Sequence, residues 1–174
     1  MAGSLIKIAE TTVSSATASV TLTGIDSTYD VYVFQYNNVE SAIVNKYMSL
    51  RFTESGTANT TSNYDYAYKV LNAGSSFSNA SGTNGTFFYT HQNLFSTDPG
   101  QANNGTIYIF NANNASEYTF MTIEGTAVGA SDVFQGNQGG GVFTITSAVD
   151  GVNFYMEDTG NLDKGTFTLY GLKK

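Results

Sequence analysis

The 174-residue chain has no cysteine, no tryptophan, one proline and one histidine, and only 12% of its residues are charged. Without cysteine there is no disulfide framework, no thiol chemistry and no thiolate zinc site. Seven Lys and Arg against fourteen Asp and Glu give a formal charge of −7. No basic cluster offsets that balance, and phosphate backbones demand cations, so nucleic acid is not an expected partner. No apolar run approaches the length of a membrane helix, and MAGSLIKIAE lacks the apolar core of a signal peptide. The expectation is a product made in a cytoplasm, not exported by that route and with no membrane partner.

Twelve Phe, twelve Tyr and eighteen Gly stand among many Ser, Thr and Asn. A disordered chain would lack the aromatics, and a helical one would be richer in Ala, Leu, Glu and Lys. This is the composition of short strands joined by polar turns. At this length the simplest reading is one domain, 1–174, able to bury a real core.

Strict alternation marks the strands. LIKIAE (5–10) is a short candidate strand with Leu5 and Ile6 apolar, and ASVTLTGI (18–25) and YMSLRFTESG (47–56) each have one apolar face. YDVYVFQYNNV (29–39) is apolar on both: Tyr29, Val31 and Val33 on one side, Tyr32, Phe34 and Tyr36 on the other. Such a strand is covered twice or lies at a subunit contact. NYDYAYKVL (63–71) carries a row, Tyr64, Tyr66 and Tyr68, at strand spacing, with a helical turn as the alternative. Residues 72–86 read as a polar loop, 87–95 as a bent strand, and STDPGQANNG (96–105), with Pro99, as a turn. TIYIF (106–110) and EYTFMTIE (117–124) form a hairpin. Residues 131–141 read as a flexible loop, and 142–147 pairs with 152–158. In the closing KGTFTLYGLKK, Phe167 and Leu169 share one face. An unpaired strand there would be an open edge, so this one should be paired in the middle of a sheet or with another chain. About ten such strands predict an all-β, antiparallel sandwich or jelly roll.

No catalytic constellation emerges. His91 has no G-x-S-x-G elbow to serve and reads as a structural or surface histidine. The carboxylates are scattered near turns, where Asp belongs, rather than paired for glycoside hydrolysis. Glu157, Asp158, Asn161 and Asp163 offer calcium-type oxygens, but their spacing does not match an EF-hand. GNQGGG (136–141) lacks the Lys-Ser/Thr of a phosphate loop. Sequons beginning at Asn59, Asn79, Asn84, Asn104 and Asn114 read as chance matches. No catalytic residue, cofactor or metal is expected. The aromatic positions Tyr29, Tyr32, Phe34, Tyr36, Tyr64, Tyr66 and Tyr68 are the candidate interface or ligand surface, since Tyr both fills strand faces and anchors interfaces.

TLTGIDSTYDVYVFQYNNV (21–39), NGTIYIFNANNASEYTFMTIEG (104–125) and KGTFTLYGLK (164–173) together resemble small all-β virion proteins of tailed bacteriophages, especially marine ones. Such chains open with a short strand and a T-G-I-D-x-x-Y-D-x-Y hairpin and close with a G-T-F/I-x-L-Y-G strand. The resemblance implies a jelly-roll sandwich, with 166–170 paired on both sides and Phe167 and Leu169 buried, used as a non-enzymatic building block of the particle. It would be a capsid decoration, head-fibre or tail-appendage subunit, homo-oligomeric and most plausibly trimeric, in contact with major capsid or tail proteins. The alternative is a receptor- or glycan-binding module, either a fibre tip reading host surface glycan or a lectin-like protein. A glycoside hydrolase and a bacterial surface subunit rank below both.

Overall fold

The computed structural model describes residues 4–74, 77–92, 94–98 and 100–173; Pro99 lies outside them. The described residues form strands, turns and loops, with no helix. In chain order the strands are β1 (Ser4–Val13), β2 (Ser19–Thr23), β3 (Val31–Ser41), β4 (Met48–Glu54), β5 (Thr57–Ala58), β6 (Tyr64–Asn72), β7 (Ser78–Gly85), β8 (Phe88–Tyr89), β9 (Asn103–Phe110), β10 (Thr119–Val128), β11 (Phe134–Phe143), β12 (Gly151–Met156) and β13 (Leu162–Lys173). The large sheet runs β1-β13-β3-β9-β10-β11-β6-β7, and the small one β2-β12-β4-β5, with β8 also on β4. Every ladder is antiparallel.

The core lies between the sheets and follows from the alternation. The large sheet contributes Phe34, Tyr36, Ile107, Ile109, Met121, Ile123, Phe167 and Leu169; the small sheet contributes Val20, Leu22, Leu50, Phe52, Val152 and Phe154. Aromatic edges stitch the layers together. Phe154 sits 5.1 Å from Phe167 and 6.0 Å from Phe34, and at the far end Phe52, Tyr64, Phe88 and Phe143 pack with centroids 4.8–6.4 Å apart. The closing strand lies inside the large sheet. β13 pairs with β1 from Ser4↔Lys173 to Val13↔Gly165 and with β3 from Leu162↔Ser41 to Gly171↔Tyr32. Phe167 and Leu169 are fully buried.

Four expectations from the sequence fail. Within 72–86, residues 78–85 form β7, an edge strand whose side chains are mostly exposed and therefore show no apolar alternation. The glycine-rich 134–143 is not a loop but β11, paired on both sides. Its glycines reflect close approach: a Cβ on Gly139 would collide with Tyr68, and one on Gly141 would lie 2.5 Å from the Phe88 ring. Residues 142–143 and β12 do not pair, because they belong to different sheets; β12 lies between β2 and β4. Nor is the T-G-I-D-x-x-Y-D-x-Y segment a hairpin. It is the corner carrying the chain from β2 in the small sheet to β3 in the large one. Tyr32 pins that corner: its hydroxyl donates to the Asp26 carbonyl at 2.7 Å and accepts from the Asp26 N–H at 3.0 Å. The Asp26 carboxylate accepts from the Thr28 N–H at 2.8 Å, which holds its pKa below the usual carboxylate value.

Because β13 fills the gap between β1 and β3, a chain ending at Gly165 should not fold cooperatively; circular dichroism during heating should show no sharp transition. Phe167→Ala in the intact chain should cost about 3–5 kcal/mol in urea unfolding, as for other fully buried rings.

Candidate binding surfaces

Five of the seven aromatic positions singled out above are not available to a ligand. Tyr32, Phe34, Tyr36, Tyr64 and Tyr68 are all buried core residues. They occupy the inward phase of β3 and β6, where the opposite sheet covers them, and a tyrosine suits that phase whenever its hydroxyl finds a partner. Tyr36 reaches the Thr90 carbonyl at 3.2 Å and Tyr64 the Asn59 carbonyl at 2.8 Å. Tyr29 and Tyr66 are half-buried. Tyr29 packs edge-on against Tyr32, at 5.8 Å, and over Gly171.

Tyr66 belongs to a patch that alternation did not single out. It stacks on Tyr68 at 4.9 Å and meets Tyr89 at 5.8 Å, and Tyr89 continues to Tyr47 at 5.2 Å and Phe87 at 5.1 Å. Phe87 leads on to Tyr155, whose ring lies 4.5 Å below the Arg51 guanidinium. Arg51 is fixed by donating from Nε to the Thr86 carbonyl at 3.0 Å. Glu157 accepts from the Ser49 hydroxyl at 2.8 Å, and burial raises its pKa. Burial also pushes the Tyr89 and Tyr155 hydroxyls up to about 12. This network covers the outside of the small sheet. It shows why 157–163 does not gather ligands: Glu157 turns to Ser49, while the Lys46 ammonium donates to the Asp158 carbonyl at 2.9 Å. Among the described residues no three His, Asp or Glu side chains gather as a metal site would require.

The outside of the large sheet is the broadest surface, and the registers order it into rows. One row crosses six strands as Leu5, Leu172, Val31, Phe110, Phe120 and Val142. The next includes Tyr170, Val33 and Tyr108. Leu5, Tyr108 and Phe120 are 43–45% exposed, whereas Val33 is buried between its two tyrosine neighbours. Two rows further on the face becomes polar: Gln35, Thr106, Glu124 and Gln138 lie side by side, and beyond them Asn37, Asn104 and Thr126. These polar rows line a groove of about 600 Å³, walled at one end by Leu71 and Phe134.

Directly inside the groove lies a buried polar cluster. Gly105 and Gly125 stand opposite Tyr36, and neither has room for a Cβ because the Tyr36 ring and hydroxyl lie against them. The Thr90 carbonyl accepts from both Tyr36 and the Asn137 amide, the latter at 3.3 Å. His91 is completely buried beside Gly125, and among the described residues its ring meets no side-chain partner, only the Gln135 backbone. Burial depresses its pKa to about 4. It is a neutral, enclosed imidazole with no nucleophile bonded to it.

Compared with protein-family models and with curated proteins, the chain matches none.

The histidine makes stability pH-dependent. An unfolded histidine takes up a proton below about pH 6.5, whereas folded His91 resists protonation until about pH 4. The unfolded state therefore binds more protons across that interval. Stability contributed by keeping His91 neutral should be fully present above pH 6.5, fall by about 3 kcal/mol between 6.5 and 4, and level off below. Urea unfolding of His91→Gln at pH 8, 6 and 4 should show that loss removed; an unchanged pH profile would contradict the assignment.

Proposed function

We propose that the chain is a non-enzymatic virion subunit of a tailed bacteriophage, a capsid decoration, head-fibre or tail-appendage protein that assembles with copies of itself on a jelly-roll framework. The ladders β1·β13, β2·β12, β3·β9 and β4·β8 support the framework. They match first with eighth, second with seventh, third with sixth and fourth with fifth strand of an antiparallel ribbon rolled on itself. The pairs β6·β7 and β10·β11 then broaden one sheet beyond β9.

The observation that carries self-assembly is the apolar row on the outer face. Single exposed hydrophobics are ordinary, but a contiguous row across six strands beside Tyr108 and Tyr170 is what contacts are built from. A second copy is the fitting occupant on electrostatic grounds. Two chains of charge −7 repel, so a contact between them belongs where carboxylates are absent. From Leu5 to Val142 the row has none; Asp65 comes only at its far end. Major capsid or tail proteins are the other partners of this reading, and the particle is its location.

Light scattering behind size exclusion should then give a mass that is a multiple of the chain's 18.6 kDa. Phe120→Lys combined with Tyr108→Lys should return it to monomer, and because both side chains are exposed the melting temperature should change little. An antibody raised against the chain should carry gold to heads or tails of particles from a lysate of the source culture. A wild-type monomer would remove the self-assembly reading, and particles without gold would remove the virion reading.

A further inference from the structure

The polar groove belongs to none of the contacts proposed above, and its chemistry is specific enough to name a ligand class. We infer that it binds a neutral oligosaccharide laid across the strands of the large sheet.

Its floor spans β3, β9, β10, β11 and β6. Four interstrand gaps of ~4.8 Å make that about 19 Å, the span of several sugar rings rather than one. The volume is in the range of built ligand sites. The lining presents donors and acceptors together, as hydroxyl-rich ligands require. Asn104 accepts the Asn38 N–H on its Oδ1 at 2.8 Å, leaving its NH2 to donate outward. Gln138 donates its NH2 to Glu124 Oε1 at 2.6 Å, leaving its own Oε1 and the second Glu124 oxygen to accept. Gln35, Asn37, Thr106 and Thr126 can do either.

Other ligand classes fit poorly. No lysine or arginine lines the groove, and Lys69, beside Gln138 in register, donates instead to Asn79 Oδ1 at 3.0 Å. On a chain of charge −7 an anionic ligand would meet repulsion without a counterion. Glu124 is the single carboxylate of the lining, too little to hold a hard cation and without the second acid that glycoside hydrolysis uses. An apolar ligand would strip water from a row of amides and return nothing. The apolar end fits the C–H face of a pyranose ring. Phe134 is 52% exposed and Leu71 39%, and they flank Gly136, which has no side chain to fill the space between them. Beneath, Gly105 and Gly125 put no side chain on the inner side of the floor and the Tyr36 side chain lies against them, closing it from below.

The test is affinity electrophoresis of the intact chain in native gels containing xyloglucan, galactomannan, laminarin or dextran, with polygalacturonate as the anionic comparison. Retardation is expected in at least one neutral gel. Phe134→Ala and Gln138→Ala should each weaken it at least tenfold, and Tyr118→Ala, an exposed aromatic outside the groove, should leave it unchanged. Titration of the retarding sugar into 15N-labelled protein should shift the side-chain amide signals of Asn37, Asn104 and Gln138 but not Asn79 or Asn113. No retardation in the four neutral gels, retardation in polygalacturonate alone, or retardation indifferent to Phe134→Ala and Gln138→Ala would overturn the assignment. None of these results depends on the oligomeric state or on particles, so the outcome is separate from that of the virion reading.

Discussion

The structure depends on one pairing, the insertion of β13 between β1 and β3. That strand satisfies backbone groups on two neighbours at once and places Phe167 and Leu169 at the centre of the core. In the other phase it sends Tyr170 and Leu172 to the outer face. Its ladder to β1 joins residues as far apart as Ser4 and Lys173, so nearly the whole loop-closure entropy must be met before the sheet closes. The other central ladders are also long-range, as in β2·β12 and β3·β9. A fold built this way nucleates slowly and gains stability late, which makes the aromatic bridges between sheets important: Phe154 against Phe167 and Phe34 engages only once both sheets exist.

What could be read from the sequence was phase, and what could not was cover. Alternation placed β2, β4 and β13, and it placed Phe167 and Leu169 on one face, because the two-residue period is a local property of strands, while runs of apolar, β-branched and aromatic residues marked β1, β3, β9 and β10. It could not say which side of a strand another sheet would cover. Tyr32, Phe34 and Tyr36 on one face of β3 and Val31 and Val33 on the other were equally good candidates for core. The discriminating signal lay in β9 and β10. In TIYIF and TFMTIE, Ile107, Ile109, Met121 and Ile123 already define the inner phase, so Tyr108 and Phe120 are large apolar residues in the outer phase. Out-of-phase aromatics in an otherwise clean alternation point to a surface more directly than a dense tyrosine row does.

The glycine-rich strand failed in the reading for a related reason. Glycine is a local signal for flexibility, but its presence here answers a non-local demand, from rings on neighbouring strands that lie across the backbone. Tyr68 and Phe88 do this to β11, and Tyr36 does it to β9 and β10. The partner ring is distant in sequence in each case, so composition alone could not tell such a strand from a loop.

The same substitution of ring for side chain links the interior to the outer face. At the level of the groove the inner row reads Tyr36, Gly105, Gly125 and Asn137 from strand to strand. One tyrosine therefore spans the space of three side chains, and its hydroxyl meets Asn137 at the Thr90 carbonyl, next to His91. An apolar packing of that row would give every strand its own side chain and leave no reason for glycine. Instead the row keeps a buried amide beside a buried imidazole, and among the described residues Asn137 Oδ1 finds no partner there. On the outer face above it, rather than on the apolar row, Gln35 and Gln138 share one polar row with Thr106 and Glu124, and Asn104 lies in the next.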